Sequence, residues 1–77
     1  MKKLSLIKMK KNQKGKVYEV TGGGNLSNRL MSMGIYQGCT ITKLSHFALR
    51  GPVAVRIVRT VIALGHGVAS KVMVEIE

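Results

Sequence analysis

Seventy-seven residues make one folding unit with room for a single hydrophobic core and none for a second. Lys and Arg number 13 against three acids, a formal net charge of +10, so the chain's field draws in anionic partners. A single cysteine excludes an intramolecular disulfide, and two histidines with no aspartate leave no Ser-His-Asp triad and very little else for catalysis.

The first apolar run, "LSLI", leads into "KMKKNQKGK", a lysine-rich loop with turn formers at Asn12 and Gly15. "KVYEVT" reads as a strand bounded by Gly15 and by Gly22–Gly24. Next comes one short helix in "NLSNRLMSMGI". Asn25 is its expected N-cap, Leu26, Leu30 and Met33 repeat at i, i+4 and i+7, and Gly34 is placed as the left-handed residue that ends it. That spacing turns Asn28, Arg29 and Ser32 outward. Gly38 marks a turn before a strand from about Thr40 to Phe47, and "LRGP" is a second turn. "VAVRIV" alternates, with Val53, Val55 and Ile57 on one face and Ala54, Arg56 and Val58 on the other. "VIAL" is a further short strand, "GHGVASK" a loop with one helical turn, and "VMVEIE" a last strand with Val72, Val74 and Ile76 inward.

Five to six short strands with glycine turns in so short a chain predict a mainly β fold, a small and strongly bent barrel. The lone helix then closes one open end, with Leu26, Leu30 and Met33 as a lid on the core.

No motif carries catalysis. "VTGGGNLS" lies between strand and helix, where backbone amides hold anions, but it lacks the Gly-Lys-Ser/Thr ending of a P-loop and the third glycine of a dinucleotide fingerprint. Cys39, His46, His66 and the glutamates have no metal-ligand spacing, so no cofactor is built in. His66 is expected as an exposed loop histidine, Cys39 as a small buried apolar residue and Met33 as core. Seven lysines fall in the first 16 residues. Charge alone points weakly to nucleic acid, because only Tyr18, Tyr36 and Phe47 supply rings for stacking. The opening "MKKLSLIKMKKNQ" lacks a signal peptide's apolar run, and no stretch has the length to span a bilayer, so a cytoplasmic binding module is expected.

The order of these parts resembles the FeoA-domain family across residues 1–77. The resemblance rests on Arg29-Leu30-Met31-Ser32-Met33-Gly34 followed by Gly38, on the Gly51-Pro52 turn, and on Ala63-Leu64 with Ala69 near the end. It implies an SH3-like barrel and an accessory role in bacterial ferrous iron uptake, without catalysis. The implied partner is the cytosolic GTPase domain of a FeoB-type transporter, and Fe2+ would be held only weakly or at a site shared with that partner. Asn28, Arg29 and Ser32, with Gly34, Tyr36 and Gly38 of the following turn, are then the expected partner-binding patch. Arg29 has an equal alternative use, capping carbonyls of its own fold. Two departures from the family pattern stand out. "KMKKNQKG" is longer and more basic than the usual Pro-Gly turn, and Arg59 replaces a frequent glycine, which puts the tight turn there in doubt. The alternative function is a basic barrel binding nucleic acid through phosphate contacts.

Overall fold

The structure, a computed structural model, describes residues 2–46 and 51–76. Its elements in chain order are β1 (Lys2–Ser5), a 3-10 turn (Leu6–Lys8), β2 (Lys14–Val20), α1 (Gly24–Ser32), β3 (Thr40–His46), β4 (Val53–Ile57), β5 (Thr60–Leu64), α2 (His66–Ala69) and β6 (Val72–Ile76). The strands form one antiparallel sheet in the order β1-β6-β2-β3-β4-β5. This is the expected mainly β, SH3-like architecture, with the short helix after the first long strand and the helical turn before the last one.

A sheet with one apolar face must wrap to bury it, and two register shifts make the bends. Tyr18 has no opposite residue where β2 pairs β6, and Leu44 has none where β3 pairs β4. Each such bulge bends its strand and increases its twist. The enclosed core is the predicted alternation: Val53 and Val55 on β4 and Val72 and Val74 on β6 are fully buried, joined by Val17 and Ile41. Leu6 is also fully buried, because "LSLI" leaves the sheet at Ser5 and turns inward as the 3-10 turn.

Helix α1 ends as the glycine signal says it should. Gly34 has φ +93, its N–H donates to the carbonyl of Met31, and the N–H of Ile35 donates to that of Leu30. This paired closure sets Ile35 against Leu30, and both are buried. Two expectations fail here. The N-cap is Gly23, not Asn25, which lies within the helix. Met33 is 39% exposed, because the helix stops at Ser32 and Ile35 takes the inward place that the i+7 spacing assigned to it. Met9, for which the sequence suggested no role, is the buried methionine among the described residues.

The long first loop is a built turn: Asn12 is left-handed at φ 67, and its N–H donates to the carbonyl of Lys43. The tight turn between β4 and β5 is present despite Arg59. Ile57 and Thr60 still pair, and the left-handed residue is Val58 at φ 57. Phe47 and the Leu49-Arg50 part of the "LRGP" turn lie outside the described residues.

Gly15 shows how tightly β2 and β6 meet. A Cβ there would stand 2.5 Å from Val74 Cγ1 and 2.7 Å from the Glu75 carbonyl oxygen, which cannot swing aside. Gly15→Ala is therefore expected to destabilise the fold by about 2–3 kcal/mol, read as a lower urea midpoint with an unchanged denaturant slope.

Candidate interaction site

Of the patch read from sequence, Asn28, Arg29, Ser32, Tyr36 and Gly38 are exposed and Gly34 is half-buried. Helical geometry sorts the first three. At roughly 100° per residue, Asn28 and Ser32 lie opposite buried Leu30, whereas Arg29 and Met31 fall on opposite flanks. Ser32 donates its hydroxyl hydrogen to the Arg29 carbonyl, fastening the last turn.

Two shallow grooves meet at Tyr36. One, of about 440 Å³, runs between β2 and α1 and is lined by Tyr18, Glu19, Ser27, Met31 and Tyr36. The other, of about 450 Å³, lies on the outer face of the sheet and is lined by Lys14, Tyr36, Thr40, Thr42, Arg56 and Val58. Met31, Tyr36 and Val58 are 57%, 48% and 85% exposed, so apolar surface stands at the rim of both. The Tyr36 turn is held rigidly. Its N–H donates to the Sγ of buried Cys39 at 3.4 Å, and the Gly38 N–H donates to the Val17 carbonyl at 2.7 Å. Of the residues expected from sequence to bind a partner, Tyr36 lines both grooves and Gly38 the second. Arg56 and Thr42 sit side by side only through the β3–β4 register, which residue spacing within one strand does not reveal.

The sequence also gave no hint of a buried cation. Lys43 follows Ile41 on the inner face of β3 and is only 2% exposed. Its Nζ donates to the carbonyls of Ile7 at 2.9 Å and Met9 at 2.8 Å and to Nδ1 of His46 at 3.0 Å. Three ammonium hydrogens thus meet three acceptors, which lets a charge remain inside and places the proton of a neutral His46 on Nε2. Burial pushes the Lys43 ammonium below the ordinary lysine value. His66 is half-buried rather than exposed, since α2 carries its ring to 6.3 Å from that of His46, and its Nδ1 is buried without a hydrogen-bond partner. The pair is a poor metal site, because the Lys43 ammonium occupies one nitrogen and repels a second cation. Among the described residues no group of three or more His, Cys, Asp or Glu is arranged to hold a metal ion. No helix among them is long and apolar enough to cross a membrane.

Lys43→Met should cost about 2–3 kcal/mol, since the Ile7 and Met9 carbonyls lose their donor. The pH dependence has a definite sign. With its pKa lowered in the fold, Lys43 binds fewer protons than in the unfolded chain just below the ordinary lysine value, so the wild type gains stability there as pH rises. The Met variant lacks that gain, and urea melts at about pH 7 and about pH 10 should show the gap between the two widening.

A family model described as the FeoA domain matches residues 4–76. Among solved structures, an iron uptake regulatory protein (FeoA) is 33% identical, with 97% of each chain covered and a TM-score of 0.87. A FeoA-like protein from Clostridium acetobutylicum is 24% identical over 99% of this chain and 88% of its own, with a TM-score of 0.83. A manganese-dependent transcriptional repressor shares the fold at 18% identity and a TM-score of 0.87, this chain covering 42% of its length. No significant match is found among curated protein sequences.

Proposed function

This chain belongs to the FeoA-domain family, and on that footing we propose that it is a non-catalytic accessory protein of ferrous iron uptake in the cytoplasm. It docks on the cytosolic part of a FeoB-type transporter and modulates transport or GTP hydrolysis there. The family's association with ferrous iron transport supports the pathway, and the match over residues 4–76 is the observation that carries it. The absence of aspartate from the sequence fits a binding module better than an enzyme.

The docking surface on this reading comprises Asn28, Arg29 and Ser32 on α1 with the turn from Gly34 through Tyr36 to Gly38. Its exposure supports the assignment, and so does a formal charge of +10, which speeds encounter with an acidic partner face. Arg29 is the natural anchor, since its planar fork meets a carboxylate through two hydrogen bonds. Any Fe2+ is held weakly or at a site completed by the partner.

The test is binding of the full chain to the purified cytosolic GTPase domain of the cognate transporter at physiological salt, with GTP hydrolysis followed in parallel. Arg29→Ala should weaken binding by about fivefold or more while leaving the thermal midpoint unchanged. A fold-neutral Arg29→Ala with undiminished affinity would remove Arg29 from the interface. Binding only to nucleic acid, falling steeply with added salt, would replace the transport reading with phosphate contacts.

A further inference from the structure

Val58 stands where its side chain costs the fold something and returns nothing to it. It begins the turn joining β4 to β5 at φ 57 and is 85% exposed. A β-branched residue is rare in the left-handed region because Cβ crowds the backbone, whereas asparagine is tolerated, as Asn12 shows in the first loop. An exposed valine recovers no burial in exchange. Strain retained at an exposed position directs attention to what the side chain does outside its own molecule.

The neighbours of Val58 supply a context. It shares the outer groove of about 450 Å³ with Tyr36, and the same groove is lined by Lys14, Thr40, Thr42 and Arg56. Strand register explains the grouping. Lys14 pairs with Thr42, Thr42 with Arg56 and Arg56 with Val61, forming one row across four strands. With strands about 4.8 Å apart, the backbones of Lys14 and Arg56 are about 10 Å apart and bracket Thr42. Among the described residues no acid lines this groove. Lys16, by contrast, has Glu75 as its partner on β6. The groove therefore combines two cations and two hydroxyls with exposed aromatic and aliphatic surface at its rim.

We propose that this groove seats an acidic segment of a protein partner, with a carboxylate between Lys14 and Arg56 and an apolar side chain against Tyr36 and Val58. Charge complementarity selects the occupant. A second copy of this chain brings another +10 and is repelled. A phosphate backbone uses the cations and hydroxyls but leaves the valine without a role, while an Asp or Glu beside an apolar residue uses all of them. The inference rests on the docking reading above and extends that surface from the Tyr36–Gly38 turn onto β3 and β4.

The experiment is an amide-shift titration of the full chain with the cytosolic domain of the cognate transporter at about 0.15 M salt, repeated with Val58→Asn and Arg56→Glu. Shifts are expected at Tyr36, Gly38, Thr40, Thr42, Arg56 and Val58. Arg56→Glu should weaken binding by about tenfold or more, since it sets like charges together. Val58→Asn should weaken binding several-fold while raising the thermal midpoint, a combination that loss of fold cannot produce. Undiminished binding by both variants, with shifts confined to Asn28, Arg29 and Ser32, would overturn the groove and leave the docking reading standing. No binding by the wild type would overturn both. Groove shifts produced only by a single-stranded DNA probe would overturn the acidic protein segment as occupant in favour of a phosphate.

Discussion

A chain this short has one sheet, and a sheet with one apolar face is stable only if it curls over that face. The bends at Tyr18 and Leu44 accomplish that closure, and the rest of the molecule is arranged around it. β1 pairs with β6 and β6 with β2, so the two ends of the chain complete one core. The bends also turn the inner face of β3 toward the 3-10 turn, where Leu6 and Met9 fill space that six short strands leave open. The sheet still has two edges among the described residues, β1 and β5. Lys2 and Lys3 place charge on the first, a common guard against edge-to-edge association, whereas Thr60–Leu64 carries no charge.

Closure creates a polar problem as well as an apolar core. The 3-10 turn and Met9 after it lie off the sheet, and the carbonyls of Ile7 and Met9 would be stranded near the core. Lys43 meets them from the opposite strand, and His46 takes the third hydrogen. This replaces ladder pairing with a single charged donor, stronger per bond than an amide but dependent on all three acceptors remaining in place. The backbone bonds between Asn12, Gln13 and Lys43 tie the same two segments together. The basic loop that departs from the family pattern is thereby part of the fold rather than a loose appendage.

The surface that remains is organised by where the ordered segments end. The left-handed close at Gly34 delivers the chain to Tyr36, and the turn from Tyr36 to Cys39 returns it to β3. Tyr36 thus stands between the helix and the outer sheet face and belongs to both grooves. Such a surface is suited to contact with another molecule. On the proposed reading its chemistry is electrostatic steering toward an acidic partner, followed by burial of a few exposed apolar side chains.

Much of this was legible in the residues themselves. Alternation of valines in "VAVRI" and "VMVEI" identified two strands and their inner faces, because a half-buried strand has a strict period of two. Gly34 identified the end of the helix, because the left-handed closing residue has a chemical signature. Met33 misled because the i+7 spacing holds only while the helix continues, and the same glycine ended it. Lys43 was hidden because burial of a lysine depends on three acceptors that are 36, 34 and 3 residues away in sequence. The groove was hidden for the same reason, since Lys14, Thr42 and Arg56 become neighbours only through inter-strand register. The sequence by itself determined the strands, the helix and the family, all written in local period and turn chemistry. The tertiary structure decided which polar side chains enter the core and which charges share a face, because those follow from strand pairing that no local pattern encodes.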